Sequence, residues 1–210
     1  MKQTRCRRPR LAGRVSRALI ASLLGAGALP AGAAAAPVAV TTPSCSDTSS
    51  PVQRLLCADS RLGQQDQAIS ALYASALQQV PESGRKQLKA RQSSWLTARE
   101  ACVNGERPRE CLADQQQRRI IELKIGLKQL PAPATVEYSC PGHESTPVTA
   151  SYYPTDPPAV LLTYGTREAV AFLAESASGA RYATGEVEIW EHQGEARLTW
   201  GKTQLECKRP

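Results

Sequence analysis

The spacing of hydrophobic positions changes near residue 130. Upstream, Leu62, Ile69, Leu72, Tyr73, Ala76 and Leu77 recur at three- and four-residue steps, as on one face of a helix. A second series, Leu88, Trp95, Leu96 and Arg99, follows a break at Pro81-Glu82-Ser83-Gly84, and a third runs from Pro108 through Leu112, Ile120, Leu123 and Leu127. These predict a small antiparallel helical bundle. Downstream the period falls to two, most clearly in Glu186-Val187-Glu188-Ile189-Trp190 and Ala196-Arg197-Leu198-Thr199-Trp200. Strands are predicted over 135–140, 147–153, 159–164, 169–174, 180–183, 186–191, 196–200 and 203–208, a spacing that suits a barrel or sandwich. Leu130-Pro131-Ala132-Pro133-Ala134 reads as a short, stiff linker, so the expected fold class is multidomain α plus β.

The first 36 residues stand apart from this pattern. Residues 1–17 hold seven Lys/Arg and no acid, 18–29 form a Leu/Ala-rich apolar run, and small residues follow Pro30. This is the form of a cleaved secretory signal peptide, too short to span a bilayer as a mature helix. With no cysteine placed for lipid attachment after the apolar run, the expected product is soluble and periplasmic. The expected organisation is a signal peptide over 1–36, a helical domain over 37–130 and a β domain over 131–210.

Removing the leader changes the charge picture. Of 26 Lys/Arg in the chain, 19 remain and balance 19 Asp/Glu, so the basic precursor carries no argument for nucleic acid. The region after Leu130 has 6 Lys/Arg against 10 Asp/Glu, while 37–130 has 13 against 9. Seven cysteines become six, an even number that in an exported chain reads as three disulfides. Six cysteines allow 15 connectivities. Local pairing is the simplest: Cys45 with Cys57, Cys102 with Cys111, and Cys140 with Cys207. The last would tie the ends of the sheet, worth roughly 4 kcal/mol in the chain-entropy account. With no CxxC and two histidines, neither a metal site nor a cofactor is expected.

One stretch carries candidate chemistry. Ser176-Ala177-Ser178-Gly179-Ala180-Arg181-Tyr182 is a small-residue polar segment framed by strands, which presents hydroxyls and a cation outward. Together with Tyr138-Ser139-Cys140, Trp190, Ala196 and Cys207, it makes residues 136–208 resemble the MliC/PliC inhibitors of C-type lysozyme. The resemblance implies an eight-stranded antiparallel barrel whose two loops enter the enzyme's sugar-binding cleft. A serine of the first loop and a lysine after the tryptophan would reach the two catalytic carboxylates. Carried over, the serine is Ser178, ahead of Gly179. The lysine's place falls on His192, and Gln193 precedes Gly194 where the family turn has its glycine. An imidazole ordinarily titrates near pH 6.5, so this departure makes the second contact pH-dependent. Ser176 and Arg181 would complete the contact surface or order the loop, with Tyr182 and Trp190 packed beneath.

The helical region resembles the LprI-like family, also associated with lysozyme inhibition. The matching residues are Cys45, Pro51-Val52-Gln53-Arg54-Leu55-Leu56-Cys57, Leu62, Asp66, Tyr73, Gln92, Trp95, Arg99, Cys102 and Cys111-Leu112. The combined expectation is a non-catalytic inhibitor with C-type lysozyme as protein partner. Ser178, His192 and Asp156 have the residue types of an acyl-transfer triad, but 175–179 lacks the G-x-S-x-G pattern. The competing expectation is a non-inhibitory envelope module that recognises glycan or an envelope protein.

Overall fold

The structure, a computed structural model, describes Cys45, residues 50–131 and residues 134–209. The expected signal peptide lies outside these residues. Four helices come first: α1 (Pro51–Ala58), α2 (Ser60–Gln79), α3 (Glu82–Ala101) and α4 (Pro108–Gly126), with a short 3-10 turn at Cys102–Asn104. Local chemistry marks the starts. The Asp59 carboxylate accepts from the backbone N–H groups of Arg61 (3.0 Å) and Leu62 (3.3 Å), capping α2. Pro51 and Pro108 occupy first-turn positions, where a missing N–H costs nothing. Helix α3 begins directly after Pro81, so the Pro81–Gly84 break is narrower than its composition suggests.

Leu62, Ile69 and Ala76 are buried on α2, seven residues apart on one face. Ile69 and Ala76 meet Trp95 of α3 and Leu123 of α4, while Leu62 joins Val52, Leu56, Cys102 and Leu112. The Trp95 indole donates to the Gln115 carbonyl (3.0 Å), and buried Arg119 is held by Gln92 (2.8 and 3.0 Å) and Glu122 (2.7 Å). Disulfides join Cys45 to Cys57 and Cys102 to Cys111.

The downstream part is an antiparallel meander: β1 (Ala134–Tyr138), β2 (Val148–Tyr153), β3 (Ala159–Tyr164), β4 (Arg167–Ala174), β5 (Ala180–Thr184), β6 (Val187–His192), β7 (Glu195–Trp200) and β8 (Thr203–Lys208). Ser139 and Lys208 exchange backbone hydrogen bonds (3.0 and 2.8 Å), and the Cys140–Cys207 disulfide lies beside them. The eight strands therefore form a nearly closed barrel. Alternate residues fill its interior, among them Val136, Tyr138, Val148, Ala150, Val160, Leu162, Ile189, Leu198 and Leu205.

The outer face of β2, β3 and β4 is also apolar. Tyr153, Ala159 and Phe172 are buried there against Ile121 and Ile125 of α4, with Leu130, Leu161 and Val170 at the margin. Three polar contacts flank this shared core. Arg91 donates to the Glu168 carbonyl (2.9 Å), Gln117 donates to the Asp156 carbonyl (3.1 Å), and Arg118 lies over the Phe172 ring. Helix α4 thus buries one side in the bundle and another on the barrel.

Candidate functional site

Strand register brings the two candidate loops to the same end of the barrel. Ala174 pairs with Arg181, and Ala180 pairs with Glu191, so the β4–β5 loop at 175–179 lies beside the β6–β7 turn that begins at His192. Ser176, Ser178, Gly179 and His192 are exposed, and Arg181 and Tyr182 are half-buried.

The first loop is held by its backbone. The Ser178 carbonyl accepts from the Ser176 hydroxyl (2.6 Å) and from the Trp190 indole N–H (2.8 Å). Arg181 donates to the Glu175 carbonyl (3.0 Å) and pairs with Glu188 (2.8 Å), tying the loop's start to the outer face of β5 and β6. Ser178 is exposed, and its hydroxyl has no hydrogen-bond partner among the described residues. Gly179 has φ +70°, and a Cβ built there would lie 2.0 Å from the Glu191 carbonyl oxygen, so the close approach of loop and β6 requires glycine.

The second loop is a two-residue hairpin turn. Gln193 (φ 51°) and Gly194 (φ 85°) both adopt left-handed conformations, as a type I′ turn demands. His192 lies across from Glu195, and the Gly194 carbonyl accepts from the Arg209 backbone N–H (3.0 Å). The expected displacement of the turn glycine is therefore accommodated by a left-handed Gln193.

Tyr182 does pack beneath the loop, edge-on to Tyr152 with ring centroids 5.6 Å apart. Trp190 does not. It pairs with Arg181 on the outer face and acts through its N–H. The sequence reading also overlooked Glu191, whose carboxylate accepts from the Tyr138 and Tyr152 hydroxyls, the latter at 2.7 Å. Burial first, then the bond to Glu191, pushes both phenol pKa values far above their ordinary range; Tyr182 is raised by burial and by Glu191's charge. The available signal was an acid in an inward slot of the alternation Val187, Ile189, Glu191.

Among the described residues there is no group of three or more His, Cys, Asp or Glu side chains placed to hold a metal ion. No helix among them is long and apolar enough to cross a membrane.

Residues 138–206 match the family model described as "Membrane-bound lysozyme-inhibitor of c-type lysozyme" (MliC). Residues 45–123 match "Lysozyme inhibitor LprI". The protein named Lipoprotein LprI from Mycobacterium bovis is 34% identical over 196 residues, spanning 90% of this chain and 98% of that protein. The chain belongs to the LprI family. Lipoprotein LprI of Mycobacterium tuberculosis gives the same identity and coverage. The likeness to these LprI proteins runs through both halves and the residues that join them, beyond the limits of either family model. No solved structure matches the chain.

Proposed function

We propose that this LprI-family chain is an exported, periplasmic inhibitor of C-type lysozyme that acts by occluding the enzyme's cleft. The observation that carries the reading is the braced, outward loop at 176–182 beside the His192 turn, at one end of an MliC-type barrel. A retaining glycosidase holds its two carboxyl groups about 5 Å apart, one protonated and one ionised. The Ser178 hydroxyl can donate to the ionised group or accept from the protonated one. His192, when charged, can pair with a carboxylate. Ser176, Gly179, Arg181 and Tyr182 shape and support the first contact.

Charge supports the same partner. The region after Leu130 carries 6 Lys/Arg against 10 Asp/Glu, and C-type lysozymes are typically basic, so attraction raises the association rate. The reading assigns no bond-breaking step to the chain. The test is clearing of bacterial walls by C-type lysozyme in the presence of the full-length oxidised chain. Inhibition at micromolar concentration is expected; undiminished clearing overturns the proposal in favour of a non-inhibitory envelope module.

A further inference from the structure

Glu191 occupies an interior slot of β6 that the strand's alternation gives to apolar residues: Val187 and Ile189 precede it on the same face, and Ile189 is fully buried. A carboxylate in such a slot is costly unless its oxygens are satisfied. Here both are. Oε1 accepts from Tyr138 of β1, Oε2 accepts from Tyr152 of β2 (2.7 Å), and the two phenol oxygens are 2.9 Å apart. In the sheet order β6 is four strands from β2, so these bonds span the barrel interior rather than neighbouring strands.

The same residue meets both candidate loops. Ala180 pairs with Glu191, and Gly179 packs so closely on its carbonyl that no Cβ fits. The next residue is His192, which opens the second turn. Tyr182, at the exit of the first loop, leans edge-on against Tyr152 of the network. An apolar side chain would fill the interior without directional bonds. The carboxylate instead fixes the end of β6 to the opposite wall at the level where both loops leave the barrel.

We infer that Glu191, gripped by Tyr138 and Tyr152, is the positioning residue that sets the relative placement of the Ser178 loop and the His192 turn. This rests on the reading of those loops as the lysozyme contacts. The elevated phenol pKa values fit the network, since burial and the neighbouring carboxylate both oppose a second negative charge.

The test uses the full-length oxidised chain, its Ser178→Ala variant, and Glu191→Ala, Glu191→Gln and the double variant Tyr138→Phe/Tyr152→Phe. Inhibition of C-type lysozyme is measured for each below its melting transition. Glu191→Ala and the tyrosine double variant should raise the inhibition constant about tenfold, the scale of losing hydrogen bonds to a charged group. Glu191→Gln should recover most of it, because the amide accepts from one hydroxyl and donates to the other. Should Glu191→Ala fail to fold, the double variant, which keeps the carboxylate, decides. Parent-like inhibition by Glu191→Ala and the double variant, or failure of Glu191→Gln to recover the inhibition lost in Glu191→Ala, overturns the inference. If those variants inhibit normally while Ser178→Ala is weakened, only the positioning role falls. If the parent does not inhibit, both readings fall.

Discussion

The Trp190 indole N–H and the Ser178 carbonyl are 2.8 Å apart, so the exposed tip of one loop is hydrogen-bonded to the outer face of the strand that leads into the other. The Ser178 backbone is occupied and its hydroxyl is left for a partner. Trp190→Phe keeps most of the ring and removes this donor. Inhibition should weaken by about 0.5–1.5 kcal/mol, the net worth of one hydrogen bond, with little change in melting temperature. An inhibition constant equal to the parent's would show that the Ser176 hydroxyl holds the loop by itself.

Ser178→Ala removes the hydroxyl and leaves both bonds to its carbonyl in place. The expected loss is about 1–3 kcal/mol of binding to lysozyme with unaltered stability, as for a hydrogen bond to a charged group. Calorimetric titration of the two proteins against the enzyme measures it, and unchanged affinity would remove Ser178 from the contact.

His192→Lys supplies a cation at the position where the MliC/PliC pattern has lysine. An ammonium stays charged through pH 8 and can pair with a carboxylate directly. Affinity at pH 8 should therefore rise. Inhibition constants of the two proteins at that pH test the sign. Weaker binding by the lysine variant at pH 8 would place a different residue of the turn in the contact.

Phe172 is almost fully buried between the barrel and α4, in contact with the group that includes Ile121 and Ile125. Phe172→Ala should cost about 3–5 kcal/mol, the usual range for emptying such a site. Because the core is shared, the loss should appear in both halves. In a Trp95→Phe background, where the remaining Trp190 and Trp200 report on the barrel, helix loss in the far ultraviolet and tryptophan fluorescence should shift together in urea, and a variant whose two signals separate would show that the halves unfold independently.

Much of this arrangement could be read from spacing alone. The eight strands lie within a few residues of their expected positions, because period-two runs such as Val160, Leu162 and Tyr164 point to one interior. The disulfides follow the simplest local pairing. Helix α4 was harder. A single-face pattern captures Leu112, Ile120, Leu123 and Leu127, but Ile121 and Ile125 form a second buried side that belongs to the barrel contact. Leu130 hides in a Pro/Ala stretch that reads as a spacer, yet its side chain packs against that same contact.

The candidate site divides in the same way. The family resemblance singled out Ser178 ahead of Gly179, but not why glycine is needed, since the close approach to Glu191 is a tertiary fact. Trp190 supports the loop as expected, but from the outer face that it shares with Arg181, through its indole N–H. The Glu191 network joins residues far apart in sequence, so the inward slot of Glu191 marks an acid that needs partners without naming Tyr138 and Tyr152.

The barrel's seam has a consequence for how the chain assembles. Each of its seven strand ladders joins neighbours in sequence, so the sheet can zip forward hairpin by hairpin with little search. The Ser139–Lys208 bridge alone asks the first and last strands to meet, beside cysteines 67 residues apart. In the proposed exported protein, the neighbouring Cys140–Cys207 bond locks the closed cylinder in an oxidising compartment. A chain caught before that meeting would carry two unpaired strand edges, the kind of surface that recruits other copies into aggregates.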